Sequence, residues 1–220
     1  MSIRVTYEHE LGELNKDLRE MALMVEHAIE ETFVAFEDQN YEKAEDVIKG
    51  DRNVNDMERA IESRCLSLIL RQQPVASDLR LVSTALKVVT DLERIGDHAS
   101  DIAELILRVK CEHAYHIVKH LPPMAQAAQS MVHDAIEAFV AQDLDEAAKI
   151  IKRDDEVDAL FNQVKTDVIE LLKTSPVQAD QGIDLLMTAK YLERIGDHAV
   201  NVCEWTQFSK TGALKNVRIM

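Results

Sequence analysis

The octapeptide LERIGDHA occurs at residues 92–99 and again, without a mismatch, at residues 192–199. Both copies lie in sequence of helical periodicity, in which each residue advances by about 100° around the axis. On such a helix Ile95, Ala99 and Ile102 share one side, while Glu93 and Asp97 share the other. We therefore expect each copy to form a helix with an apolar face toward the core and an acidic stripe on its back.

The acidic stripe is costly for a helix. Like charges four residues apart destabilise a helix by a few tenths of a kcal/mol, and an interior glycine costs about 1 kcal/mol relative to alanine. The same pattern present twice favours binding of a cation, since carboxylate oxygens suit hard metal ions. A solvated acidic face is the alternative, and spacing alone does not separate the two.

Composition narrows the class of protein. The chain has 220 residues, with 40 acidic against 25 basic side chains and a net charge of −15. This charge argues against nucleic acid and against an anionic membrane surface as partners. No apolar run reaches the ~18 residues of a spanning helix, and the N-terminus lacks the apolar region of a signal peptide. We expect a cytoplasmic protein without direct membrane insertion.

The three cysteines of the chain are far apart and lack CxxC spacing, so neither a disulfide framework nor a thiolate zinc site is indicated.

The pattern predicts an all-α protein. Glycine and proline are few, with six and four residues, and strand-type alternation is absent. Six helices are predicted, over 8–38, 41–71, 75–108, 124–142, 144–173 and 176–208. Asn40 and Asp143 are the predicted N-caps of the second and fifth helices.

The two halves of the chain repeat each other. Residues 35–36, 48–55 and 74–75 match residues 138–139, 151–158 and 176–177 at nearly constant offsets. This is an internal duplication of a three-helix unit. It predicts two tandem three-helix bundles at 1–108 and 124–208, joined by a linker at 109–123 and followed by a flexible tail at 209–220.

The second helix of each half adds further acids. Asp51 and Glu58 in the first half, and Asp154 and Asp158 in the second, lie at the edge of the apolar stripe. Neighbouring edges of two helices form a groove, where these acids could meet the stripe and bind more than one metal ion. Mg, Ca or Mn suit such ligands best. The alternative is ordinary boundary acids that pair with Lys or Arg.

The histidines give weaker signals. His98 and His198 point about 100° away from the stripe, so packing or hydrogen bonding is favoured over metal ligation. The Glu-x-x-His spacing of redox di-iron bundles is missing. Cys111, His113, His116 and His120 lie in the linker without a counterpart in the second half, which favours solvated histidines over zinc. No nucleophile–base pair or glycine-rich phosphate loop is found, so no enzyme is indicated.

The paired octapeptides, the stretch QPVASDLR at 73–80 and the positions of Asp51 and Asp154 together resemble the PhoU family of phosphate-uptake regulators. The resemblance implies two tandem three-helix bundles whose E/D-x-x-x-D motifs can hold iron or zinc clusters. It also implies a cytoplasmic negative regulator of phosphate uptake and phosphate-starvation signalling. Such a protein would be an adaptor between the ATPase of a phosphate ABC transporter and a membrane sensor histidine kinase. A homodimer is the expected assembly.

Eight residues match the family's metal motifs: Asp51, Glu93, Asp97, Asp101, Asp154, Asp158, Glu193 and Asp197. Asn55 and Asn201 depart from the pattern, one in each half, so we expect both halves to bind metal with different affinities. The leading interpretation is a metal-binding regulator without enzymatic activity. The alternatives are a metal-dependent phosphate-ester hydrolase and a metal-free helical scaffold.

Overall fold

The computed structural model describes residues 3–109, 118–214 and 217–218, and within them it has six long helices. They are α1 (Ile3–Asp38), α2 (Tyr41–Gln72), α3 (Ser77–Arg108), α4 (Leu121–Ala141), α5 (Leu144–Thr174) and α6 (Ala179–Thr211). The predicted all-α class of two tandem three-helix units is confirmed. Among the described helices, none combines the length and apolar character that crossing a bilayer requires.

Both predicted N-caps are present. The side chain of Asn40 accepts a hydrogen bond from the Lys43 amide at 3.1 Å. Asp143 caps α5 in the same way, accepting from the amides of Asp145 and Glu146 at 3.0 Å. These bonds satisfy amides that a helix leaves unpaired at its start, which fixes where α2 and α5 begin.

Several helix ends differ from the predicted bounds, among them the starts of α3, α4 and α6. Ala76 has φ 50° and ψ −117°, so α3 begins at Ser77 rather than at 75. Pro122 and Pro123 lie in the first turn of α4, where proline is tolerated, rather than at the end of the linker. A 3₁₀ turn at Pro176–Gln178 precedes α6.

The described part of the C-terminal segment has regular structure where a flexible tail is predicted. The sequence predicts a flexible tail from 209, but α6 continues to Thr211, and Ala213–Leu214 pairs as a short antiparallel strand with Val217–Arg218. Ser209 is buried and donates a hydrogen bond to Gln142 Oε1 at 2.7 Å. This contact with the end of α4 holds the last turn of α6 in place.

One continuous apolar core joins the two halves. Helices α1–α3 form one bundle and α4–α6 the other, while α3 packs against α6 and α1 against α4. The octapeptide glycines allow close helix approach: a Cβ on Gly96 would lie 3.1 Å from Val54 Cγ1, and one on Gly196 3.3 Å from Asp154 Oδ1. The glycine that weakens each helix therefore brings α3 against α2 and α6 against α5.

Candidate functional site

The first acidic cluster consists of Asp51 and Glu58 on α2 and Glu93, Asp97 and Asp101 on α3. The sequence places the α3 stripe on the back of the helix, away from the core, and this prediction is wrong. The side chains of Glu93 and Asp97 are only 13% and 28% exposed. Because Gly96 admits α2 so closely, the stripe lies in the α2–α3 groove and meets the acids of α2.

Burial and mutual repulsion shape the electrostatics of this cluster. Burial, followed by the charges of Asp97 and Glu58, raises the pKa of Glu93 to about 7. Burial is also the main cause that raises the pKa of Asp51, and Asp97 adds to it. Asp51 Oδ1 and Glu93 Oε2 are buried and accept no hydrogen bond from the described residues. Such oxygens are costly to bury as anions unless a cation or donor reaches them.

The second acidic cluster consists of Asp154 and Asp158 on α5 and Glu193 and Asp197 on α6. Burial, then the charges of Asp158 and Asp197, raises the pKa of Asp154 to about 6. Burial and the charge of Glu193 raise the pKa of Asp197 as well. The duplication thus places partly buried carboxylates that repel one another in both halves.

Basic side chains partly neutralise each cluster. Arg94 Nη1 donates to Asp97 Oδ2 at 2.6 Å, and its Nε lies 3.4 Å from Glu93 Oε2. Lys190 pairs with Glu193 in the second half. Over the described part of the chain, no three His, Cys, Asp or Glu side chains converge as metal ligands in this conformation.

The donor chemistry still fits a hard cation, since every candidate ligand is a carboxylate and two of the buried oxygens accept no hydrogen bond from the described residues. For these oxygens to converge on a metal ion, the basic side chains would have to turn aside. The side chains of Arg94 and Lys190 are 54% and 46% exposed, so each has room to turn into solvent.

The two asparagines that depart from the motif have separate roles. Asn55 donates to Asp51 Oδ2 at 2.9 Å, inside the first cluster. Asn201 donates instead to Asp91 Oδ1 at 3.0 Å, across the contact between α6 and α3. Asn201 therefore helps to join the halves, and its amide group is directed at Asp91.

Sequence reasoning missed Asp91, which is buried at the α3–α6 contact. Its position in the repeat is taken by Tyr191 in the second half, so the duplication gives no signal for it. His198 Nδ1 lies 2.8 Å from Asp91 Oδ1. The ring of Tyr191 stacks on His98, with centroids 5.4 Å apart.

His98 and His198 meet where α3 and α6 cross, with ring centroids 5.7 Å apart. His98 Nδ1 lies 3.3 Å from Asp101 Oδ2. Burial is the main cause that lowers the pKa of His98, which favours its neutral form. The packing and hydrogen-bonding interpretation matches these contacts.

Of the linker residues, Cys111, His113 and His116 lie outside the described part of the chain. His120 is described, and its Nδ1 lies 2.8 Å from Asp167 Oδ2 on α5. It is therefore engaged with the second bundle.

Sequence comparison finds the PhoU domain twice in the chain, at residues 18–106 and 121–206. The chain is 41% identical over 210 residues to the phosphate-specific transport system accessory protein PhoU homolog of Clostridium acetobutylicum, covering 95% of this chain and 96% of that protein. It is 35% identical over 200 residues to the phosphate-specific transport system accessory protein PhoU of Escherichia coli K12, covering 89% and 81% of the two chains.

The fold of the chain also matches solved structures of PhoU proteins. The crystal structure of PhoU from Pseudomonas aeruginosa superposes with a TM-score of 0.87 at 29% identity, covering 94% of this chain and all of that one. The phosphate transport system regulatory protein PhoU from Streptococcus pneumoniae gives a TM-score of 0.84 at 29% identity, with 94% and 98% covered. The likeness therefore extends over both bundles.

Proposed function

The chain belongs to the PhoU family, and on that premise we propose that it is a regulatory accessory protein of a phosphate transport system. The observation that carries this proposal is the full-length likeness, since a relative 41% identical covers 95% of the chain and is itself a phosphate-specific transport accessory protein. In this role the protein is a cytoplasmic adaptor. It represses phosphate uptake and phosphate-starvation genes when phosphate is plentiful, between the transporter ATPase and a membrane sensor histidine kinase, and it has no enzymatic activity.

The two acidic clusters are the proposed metal sites. Asp51, Glu93, Asp97 and Asp101 would hold a cation in the first half, and Asp154, Asp158, Glu193 and Asp197 in the second. Iron or zinc is the proposed metal, with Mg, Mn or Ca as other hard cations that such oxygens accept. The support is electrostatic: burial and mutual repulsion raise the pKa of Glu93 to about 7 and that of Asp154 to about 6.

A cation would supply positive charge that stabilises the ionised carboxylates. The effect of this charge on the fold depends on which helices carry the carboxylates. Each cluster spans two helices, α2 with α3 and α5 with α6, so neutralising it strengthens the attachment of the second helix of each half to the third. We propose that this attachment sets the shape of the surface that the partners contact, with the protein acting as a homodimer.

Gene deletion tests the regulatory role. Phosphate-starvation genes should stay on in phosphate-rich medium when the gene is deleted, and the wild-type gene should restore repression. A strain that represses these genes normally without the protein would contradict the proposal. In the deletion strain, a gene carrying Asp56→Asn and Glu170→Gln should restore repression as fully as the wild-type gene, because both acids are exposed and lie outside the clusters.

A further inference from the structure

A cavity of about 350 Å³ opens between α1 and α2, and its lining includes no residue of the first acidic cluster. Its polar lining includes His27, Glu31, Lys43, Asp46 and Asn53, and Gly50 forms part of its wall. A volume of this size is typical of a small-ligand pocket. A Cβ added to Gly50 would meet nothing within 4 Å, so the space begins directly above the glycine backbone.

The second half shows what occupies the corresponding place. Residues of α1 and α2 recur in α4 and α5 at an offset of 103 positions, so Gly50 corresponds to Arg153 and Glu31 to Asp134. Arg153 forms an ion pair with Asp134 and donates to Ser130 Oγ at 2.8 Å. Its guanidinium group thus ties α4 to α5.

The first half keeps the carboxylate but lacks the arginine. Lys43 Nζ donates to Glu31 Oε2 at 2.5 Å, and a carboxylate can accept at both oxygens. Asp46 adds a second negative charge to the lining, and it lies 3.7 Å from Lys49. Lys43 and Lys49 balance the charges of these two carboxylates, so what the cavity offers a guanidinium group is the oxygen of Glu31 that Lys43 does not contact.

We propose that this cavity binds a guanidinium group, the arginine side chain of a partner protein, in the place that Arg153 fills within the second half. Glu31 is the principal anion of the site, because its counterpart Asp134 holds Arg153. The planar fork of a guanidinium matches a carboxylate that an ammonium contacts at one point only. This inference is independent of the metal sites and of the proposed function.

The test is a titration of the whole protein with N-acetyl-arginine amide, followed by NMR or calorimetry. Wild type should bind one equivalent, and the lysine and citrulline analogues should bind at least tenfold more weakly. Gly50→Arg should lose the binding, because its own guanidinium fills the cavity. Gly50→Ala is the matched control and should keep it, since the added methyl group enters open space.

The second half provides a reciprocal variant. Arg153→Gly should create a second cavity beside Asp134, bind a second equivalent of the probe and recover melting temperature when the probe is added. Glu31→Gln should weaken binding at the first cavity at least tenfold.

Three results would overturn the proposal: no saturable binding by wild type, equal binding of the arginine and lysine probes, or unchanged binding by Gly50→Arg. Equal affinity for free arginine and the capped probe would overturn the assignment to a protein side chain and indicate a small-molecule site. Circular dichroism verifies that each variant is folded.

Discussion

The imidazole of His198 on α6 lies 2.8 Å from the carboxylate of Asp91 on α3, measured from Nδ1 to Oδ1. The same oxygen accepts a hydrogen bond from Asn201 at 3.0 Å. One buried carboxylate of the first half is therefore held by two side chains of the second. The duplicated units are joined by a contact that the duplication itself does not repeat, because Tyr191 takes the position of Asp91 in the second half.

Asn201→Asp should destabilise the protein. The substitution replaces a donor with a second carboxylate about 3 Å from Asp91 Oδ1. A lost hydrogen bond with a buried acceptor costs about 1–3 kcal/mol, and we expect a loss of this size in urea denaturation. The metal affinity of the second half should not increase. Asp91→Asn in the same chain should recover most of the loss, whereas unchanged stability in Asn201→Asp would show that the contact contributes nothing.

The two acidic clusters should make the metal-free protein more stable in mild acid than in mild alkali. The pKa of Glu93 is raised from 4.5 to about 7, and that of Asp154 from 3.8 to about 6. The carboxyl groups of Glu93 and Asp154 therefore bind their protons more tightly in the folded protein than in the unfolded chain. The stability they contribute is fully present below the unfolded pKa values and is lost as the pH rises through 6 to 7.

Urea denaturation of metal-free protein across this range measures the effect. The variant with Glu93→Gln and Asp154→Asn is the matched comparison, and its stability should vary less with pH than that of wild type. Identical pH profiles for the two proteins would contradict the electrostatic description of the clusters.

Gly96→Ala should destabilise the first bundle although alanine favours a helix. The added Cβ would lie 3.1 Å from Val54 Cγ1, and overpacking of this kind costs about 1–3 kcal/mol. Gly12→Ala is the control, because nothing lies within 4 Å of its added Cβ and only the helix gain of about 1 kcal/mol remains. Thermal melting should rise for Gly12→Ala and fall for Gly96→Ala. A rise in both would show that the α2–α3 approach is not close.

Local signals in the sequence predicted most of the fold. The side chains of Asn40 and Asp143 cap the helices where predicted, and the duplicated octapeptides located the paired third helices. The acids of α2 and α3 were also predicted to approach each other. These features depend on residues close in sequence or on the repeat itself.

The remaining features depend on contacts that periodicity does not encode. A helical wheel shows that Glu93 and Ile95 face different sides, but not that α2 covers the side of Glu93. Asp91 acquires its role only from α6, which is 107 residues away at His198. The α1–α2 cavity begins where Gly50 has no side chain. The sequence alone does not show that Arg153 occupies the corresponding space in the second half.

The most direct test of the central claim, that the acidic clusters are cation sites, is the metal content of the purified protein after incubation with iron or zinc and removal of excess metal. The variant with Glu93→Gln and Asp97→Asn should lose the metal of the first half and retain that of the second. The control with Asp56→Asn and Glu170→Gln removes the same charge from exposed positions and should match wild type. Equal metal content in all three folded proteins would contradict the account.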